Sequence, residues 1–460
     1  MQKTISPVDG SVYVERELAN AAAIDAALDR AVKAQRAWRD VPVSERAAIC
    51  RRFCDAFENR RDAIALELTW QMGRPIRYAA NEVRGTLERA RYMIDVAPEA
   101  LADVDAGPKE DFRRFVRREP LGVVFTVAAW NYPYLIAVNS VLPAIMAGNT
   151  VVLKHSAQTP LCAERFADCF REAGLPDGVF QVLHLSHEDT ERVVKDTRVA
   201  FVAFTGSVAG GHAIQHAVAE RFIGAGLELG GCDPAYVRHD ANVAHAVENL
   251  VDGAFFNSGQ SCCGIQRIYV HEKVYERFVS GAVELTRQYV LGNPTEQATT
   301  LGPVVRRSAA DQIRKQIAAS VAAGAQPTVD ERAFAASRPG TPYLAPQLLL
   351  GVDHTMSVMR EEIFGPVAGV MKVRSDEEAI ALMNDSAFGL TAAIWTEDAD
   401  AALAIGDRIE TGTWFMNRCD YLDPALAWVG VKDSGRGCTL SRVGYEHLTR
   451  PKSFHLRTRT

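Results

Sequence analysis

Leu121-Gly122-Val123-Val124-Phe125-Thr126-Val127-Ala128-Ala129-Trp130-Asn131-Tyr132-Pro133 is where the chain changes character. The run Val123 to Ala129 is apolar without alternation, which suits a strand covered on both faces. Pro133 suits the first turn of a following helix, because proline has no N–H to leave unpaired there. Upstream of this strand–turn–helix the pattern is helical. Ala21 to Trp38, Ser44 to Met72 and Ile76 to Ile94 carry apolar residues three and four apart, with Gly73-Arg74-Pro75 breaking the second from the third. Residues 111–118 read as an isolated strand closed by Pro120.

Downstream, strands and helices alternate. Strands fall at Thr150 to Lys154, Val179 to Leu185, Val199 to Phe204 and Leu227 to Leu229. Helices fall at Pro160 to Glu172 (ended by Gly174), Asp189 to Asp196 and Val208 to Ala219. A second run extends from near Ala235 to near Asn417. Its strands are Arg267 to Val270, Val367 to Val373, Thr391 to Trp395 and Gly412 to Met416, and its helices Lys273 to Tyr289, Ala309 to Ala323 and Asp398 to Ile409. Such βα runs predict an α/β protein with doubly wound parallel sheets and ligand sites at strand carboxyl ends. The tail, Ser453 to Arg459, alternates polar and apolar residues and reads as an exposed or partner-paired strand.

With 460 residues, two or three domains are expected. The net charge of -6 gives no support to a nucleic-acid partner. The basic cluster Arg113 to Arg118 is interrupted by Phe115 and Val116, as in a half-exposed strand. The first residues lack the pattern of a signal peptide, and no apolar run nears the ~18 residues of a membrane span. Nine cysteines, an odd number without a Cys-x-x-Cys pair, point to a reducing, cytoplasmic setting and no metal site.

Five short segments carry possible chemistry. In Phe255-Phe256-Asn257-Ser258-Gly259-Gln260-Ser261-Cys262-Cys263, a cysteine lies between a helical pattern and a strand pattern. Backbone amides at such a junction can favour a thiolate and hold an oxyanion; two buried apolar cysteines are the plainer alternative. Asn131 at a strand's carboxyl end can donate to an oxyanion, or simply sit in a turn. Phe204-Thr205-Gly206-Ser207 joins a strand to a helix whose N-terminus would attract phosphate, although it matches neither common phosphate-loop motif. Leu227-Glu228-Leu229-Gly230-Gly231 sets one carboxylate in apolar surroundings, where burial would raise its pKa towards that of a general base. Glu361-Glu362-Ile363-Phe364-Gly365-Pro366 offers a carboxylate for ribose hydroxyls, or a solvated acidic turn.

Together, in this order, the segments resemble the aldehyde dehydrogenase superfamily over essentially the whole chain. Asn257-x-Gly259-Gln260-x-Cys262 and Glu228-Leu229-Gly230-Gly231, with Glu228 and Cys262 34 residues apart, carry the resemblance. It implies a Rossmann-type NAD(P)-binding domain (1–110 and 121–231), an α/β catalytic domain (232–433), and a small β oligomerisation flap with a C-terminal tail (111–120 and 434–460). It implies a homodimer or homotetramer joined through the flap strands, and a small-molecule aldehyde as substrate. By the same resemblance Cys262, not Cys263, is the nucleophile, Asn131 and the Cys262 N–H form the oxyanion hole, and Glu228 activates water. Glu362 would hold the nicotinamide ribose with Phe364 near it, Ser207 and Trp130 would lie near the pyrophosphate, Lys154 at the adenosine ribose, and Gly206 in the turn that admits the cofactor. The substrate tunnel would comprise Tyr132, Ile136, Ser261, Cys263, Tyr421, Leu422 and Trp428.

The sequence departs from the family pattern at several positions. Ala157 stands where NAD-preferring members often have glutamate, so nothing there repels a 2′-phosphate, and NADP is expected to be accepted alongside NAD. His155 stands where proline is common. Cys232 stands where lysine or serine is common, and it reads as packing. The tunnel aromatics favour an apolar or aromatic aldehyde. A dicarboxylic semialdehyde would need a cation, for which Arg418 is the nearby candidate and Asp420 its possible neutraliser. CoA-acylating chemistry, a non-redox cysteine hydrolase and a catalytically silent protein are the alternatives. Glu228 argues against the first, and the lack of a flanking histidine against the second.

Overall fold

A computed structural model describes residues 1–460. Val123–Ala128 is buried along its whole length and pairs in parallel with Thr150–His155 on one side and Val199–Thr205 on the other. The sheet has six strands, in the order Gly435–Arg436, Gly224–Glu228, Val199–Thr205, Val123–Ala128, Thr150–His155, Phe180–Val182, antiparallel only at Gly435–Arg436. The order reverses direction at Val123–Ala128, so a crevice opens beyond the carboxyl ends of that strand and of Val199–Thr205. Asn131 and Gly206 lie there. Pro133 does begin a helix, Pro133–Met146, nearly all of it buried, and this helix packs against Ile76–Ala100.

A second sheet has seven strands, in the order Gln326–Pro327, Gln347–Leu350, Val367–Val373, Ile265–His271, Asp233–Val237, Thr391–Trp395, Thr413–Met416, antiparallel only at the first. The helix Val243–Phe255 connects Asp233–Val237 to Ile265–His271, and the Asn257–Cys263 segment fills the turn before that strand. This turn meets the residues that follow Val123–Ala128, Asn257 and Gln260 bonding to Asn131, and shares a cavity with Glu228 at the end of Gly224–Glu228.

Four features differ from the sequence reading. The single helix expected from Ser44 to Met72 is two, Val43–Glu58 and Arg61–Met72. Arg60 fixes the break by donating to Ala56 O at 2.8 Å and pairing with Glu172 at 2.6 Å. The first residues form a hairpin, Gln2–Ile5 with Val12–Arg16, in a region read as helical. Gly435–Arg436, expected with the flap, instead edges the six-stranded sheet. The tail strand, expected to lack a neighbour within the chain, runs Thr449–Arg457 and pairs antiparallel with Phe112–Pro120, with Phe115 and Phe454 stacked 4.6 Å apart. Val104–Asp105 completes that three-stranded sheet. Thr449–Arg457 is its long open edge. No helix is long and apolar enough to cross a membrane.

Candidate active site

The turn around Cys262 is held in an unfavourable backbone conformation. Asn257, Ser258 and Gly259 are consecutively left-handed, with φ of 54°, 57° and 69°. For the two non-glycine residues this costs about 1–2 kcal/mol each, so the surroundings must enforce it. Asn257 Nδ2 donates to Asn131 O and to Gln260 O, both at 3.1 Å. Ser258 Oγ donates to Gly302 O at 2.8 Å. Gln260 Nε2 donates to Asn257 O at 3.0 Å, while its Oε1 accepts from Val305 N at 2.7 Å. Gly259 lies so near the Gly365 carbonyl that a Cβ would collide with it. The result is a thiol, Cys262, half-exposed to a cavity of about 480 Å³. The Cys262 N–H donates to no acceptor within the chain.

Asn131 is buried beside this turn, and its Nδ2 donates to Gln260 O at 3.3 Å, leaving the second N–H of the amide free. Glu228 lines the same cavity as Cys262. Its carboxylate accepts from Thr439 Oγ1 at 2.6 Å and from Thr205 Oγ1 at 3.2 Å. Burial pushes its pKa up, opposed by these two hydroxyls and by the charge of Arg89. Gly231 is needed three residues on, since a Cβ there would strike the Cys262 carbonyl.

A buried ion pair that the sequence reading missed clamps the arrangement. Arg74 and Glu82, 3% and 2% exposed, are bonded to each other. Arg74 also donates to Asn257 Oδ1 at 3.2 Å and to Asn131 O at 2.5 Å. Glu82 accepts from Tyr134 N at 2.8 Å, at the positive end of the helix that follows Asn131. One guanidinium thereby ties Asn131 to the cysteine turn. Arg74→Ala leaves a buried carboxylate unpaired and is expected to cost about 3–5 kcal/mol, measured by denaturant unfolding. A loss below about 1 kcal/mol would show that the pair does not hold the site.

Of the expected tunnel residues, Tyr132, Ile136, Cys263, Tyr421, Leu422 and Trp428 do line the cavity. Ser261 does not. It is 6% exposed, its hydroxyl donating to Asp420 Oδ1 at 3.0 Å. Cys263 donates to the same oxygen at 2.9 Å. Cys262, burial and Asp420 together push the Cys263 thiol well above its usual range. Asp420 itself is raised to about 6 by burial. Its bonds go to Ser261 and Cys263, and it makes no ion pair with Arg418, which is exposed, stacked 3.9 Å from the Tyr421 ring centre and outside the cavity lining. Arg89, Asn139 and Thr205, not anticipated, also line the cavity.

On the other side of the turn, a cleft of about 510 Å³ is lined by Trp130, Lys154, Ala157 and Arg306 among others. Lys154 is 9% exposed and makes no ion pair or hydrogen bond within the chain, and burial lowers its pKa. A buried ammonium without a partner fits an anionic or hydroxyl-bearing ligand. Ser207 caps the helix Val208–Val218, its Oγ accepting from Gly210 N at 3.2 Å, and Gly206 N donates to Glu228 O at 3.0 Å. Phe364, left-handed at φ 55°, meets Trp130 edge-on at 5.5 Å. Glu362 accepts from Gly231 N at 3.0 Å and is raised to about 7 by burial. A helix N-terminus, an unpaired ammonium and a carboxylate are each groups that suit a dinucleotide.

Two departures from the family pattern prove to be packing. His155 is buried and lowered to about 4, hence neutral. It donates from Nε2 to Pro133 O at 3.1 Å and accepts at Nδ1 from Ser156 N at 2.9 Å and Thr159 Oγ1 at 3.0 Å. Cys232 is 1% exposed, and burial raises its thiol to about 12.

Comparison with known proteins agrees with this geometry. The profile of the aldehyde dehydrogenase family matches residues 1–454. A succinate-semialdehyde dehydrogenase [NADP(+)] of Mycobacterium avium is 35% identical over 453 residues, covering 98% of this chain and 95% of that one. The structure of a succinic semialdehyde dehydrogenase from Streptococcus pyogenes, in complex with NADP+, superposes with a TM-score of 0.94 at 29% identity, covering 99% of this chain and 100% of the other. The structure of Gox0499 gives a TM-score of 0.95 at 32% identity over 99% of each chain. With a cysteine, a carboxylate and an asparagine gathered at one site, and a family match spanning nearly every residue, this chain belongs to the aldehyde dehydrogenase family and is an NAD(P)-dependent oxidoreductase acting on an aldehyde.

Proposed function

We propose that Cys262 is the nucleophile, that Asn131 Nδ2 and the Cys262 N–H hold the oxyanion, and that Glu228 is the base that hydrolyses the acyl-enzyme. The Cys262 thiolate adds to the aldehyde carbon to give a thiohemiacetal. Its oxyanion meets the two N–H donors that have no competing partner. A nicotinamide bound in the crevice supplies the hydride acceptor. Trp130, Gly206, Ser207, Glu362 and Phe364 would hold it, with Lys154 and Ala157 at the adenosine ribose. The acyl group remains on Cys262 as a thioester. Glu228 takes a proton from water, the hydroxide attacks the thioester, and the carboxylate product leaves with the thiol restored. The observation that carries hydrolysis, rather than transfer to CoA, is the Glu228 carboxylate in the same cavity as Cys262, held by Thr205 and Thr439 and raised in pKa.

NADP+ is accepted alongside NAD+. The lining of the adenosine end holds the cations Lys3, Lys154 and Arg306, and no carboxylate. Relatives are named for NADP(+) and for succinate semialdehyde, which supports a short aldehyde bearing a second carboxylate. The six-stranded sheet would serve the cofactor (1–110 and 121–231) and the seven-stranded sheet catalysis (232–433). The open edge at Thr449–Arg457 would join a homodimer or homotetramer. A cytoplasmic site suits nine free thiols.

The test is an aldehyde panel read as NADH and NADPH formation, with and without CoA. Free acid is the expected product, and acyl-CoA would overturn the hydrolytic reading. The kcat/KM with NADP+ should lie within about a thousandfold of that with NAD+ or above it. Ala157→Glu places a carboxylate against the 2′-phosphate and should lower kcat/KM for NADP+ at least ~10-fold relative to NAD+. An unchanged ratio would remove position 157 from cofactor choice.

A further inference from the structure

Four arginines are buried: Arg46, Arg74, Arg89 and Arg267. Arg74 is paired with Glu82. Arg267 donates to three carbonyls and to Tyr269. Arg46 lines none of the large cavities. Arg89, 8% exposed, differs from all three, because it lines the cavity that holds Cys262 and Glu228 and has no carboxylate within ion-pair distance. Its Nη1 donates to Leu135 O at 3.0 Å and to Asn139 Oδ1 at 3.2 Å. Nε and Nη2 bond to nothing in the chain.

An unpaired buried charge is costly, and one that lines a cavity with donors to spare is a site for an anion. Of the carboxylates of the same cavity, Glu228 feels the charge of Arg89 but forms no ion pair with it, its oxygens being bonded by Thr205 and Thr439. Glu88 accepts from Tyr421 at the exposed mouth, and Asp420 is bonded by Ser261 and Cys263. Glu248 and Asp252 are exposed. The two contacts at Nη1 fix the guanidinium and leave the edge formed by Nε and Nη2, the fork that matches a carboxylate bidentately.

We propose that Arg89 is the specificity-determining residue of the substrate cavity, binding a carboxylate at the end of the aldehyde remote from its carbonyl. This rests on aldehyde oxidation at Cys262 and deepens it by naming the group that selects the substrate. The apolar walls, Ile136, Leu422 and Trp428, then bracket a short methylene chain between two polar ends. Arg418, the cation suggested by sequence, has no part in it.

The experiment compares succinic semialdehyde, its methyl ester and butanal, on the full-length protein with NADP+. The wild type should favour the free carboxylate at least ~100-fold in kcat/KM over both uncharged aldehydes, mainly through KM. Arg89→Met should lower the ratio of kcat/KM for succinic semialdehyde over butanal by ~100-fold, and Arg89→Lys by less. A ratio unchanged within about threefold in Arg89→Met overturns the proposal. So does an equal fall for all three aldehydes with a shifted pH profile, since Arg89 would then serve Glu228. If Arg89→Met does not fold, inhibition of wild-type butanal oxidation decides. Competitive inhibition by succinate but not by succinamide supports the anion site, and equal inhibition overturns it. Absence of turnover with every aldehyde and both nucleotides instead defeats the aldehyde-oxidation reading, and this proposal with it.

Discussion

Cys262→Ala is expected to lower aldehyde oxidation by ~10⁴-fold or more, while Cys263→Ala loses no more than about tenfold. The two thiols are adjacent, yet their surroundings divide the roles. Cys262 is half-exposed to the cavity, and its own N–H is free. Cys263 is 3% exposed and donates to Asp420, and that contact holds it in the neutral thiol form. A thiol is a poor nucleophile until it loses its proton, and Cys263 is pushed well above its usual pKa by Cys262, by burial and by Asp420. Removing it leaves Asp420 bonded to Ser261. The check is kcat/KM for both variants with one aldehyde, alongside iodoacetamide labelling located by mass spectrometry. Labelling at Cys263, or an active Cys262→Ala, would refute the assignment.

What the sequence makes legible is whatever is local. The strand Val123–Ala128, the helix begun by Pro133 and the helix Pro160–Glu172 each follow from a pattern within about a dozen residues. Asn131, Glu228 and Cys262 become legible together only through their order and spacing. Contacts made from distant helices were not legible. Arg74 was noticed only as part of a Gly-Arg-Pro break, and Arg89 lies in an amphipathic helix where a charge ordinarily faces solvent. Arg74, just before Ile76–Ala100, instead reaches Asn131 O, and Arg89 reaches the cavity because that helix packs against Pro133–Met146. The family resemblance puts Ser261 in the tunnel wall, but its side chain is buried against Asp420. The tail and Phe112–Pro120 lie more than 300 positions apart, and no local pattern says that two alternating strands will pair.

Glu228→Gln should separate the two halves of the reaction. Acylation of Cys262 does not need the base, so about one equivalent of NADPH per active site should form in a burst. Steady turnover should then fall ~10²–10⁴-fold, because water is no longer deprotonated. The thioester on Cys262 should be visible by mass spectrometry of the quenched enzyme. The wild-type pH dependence has a fixed sign. Burial raises the Glu228 pKa, and only the carboxylate is a base, so deacylation is lost as pH falls through that raised value. Stability has the opposite sign. Below the ordinary carboxyl pKa both the folded and unfolded states are protonated, and burial carries no penalty. Between the ordinary value and the raised one, the unfolded state ionises first and the fold is progressively disfavoured. Above the raised value the penalty is complete. Glutamine removes it, so Glu228→Gln should gain thermal stability relative to wild type as pH rises across that window and keep the gain at pH 8. A variant that deacylates at the wild-type rate would remove Glu228 from the chemistry. One that stalls as described but is less stable at pH 8 than at pH 4, relative to wild type, would show that Thr205 and Thr439 stabilise the charged carboxylate by more than burial disfavours it.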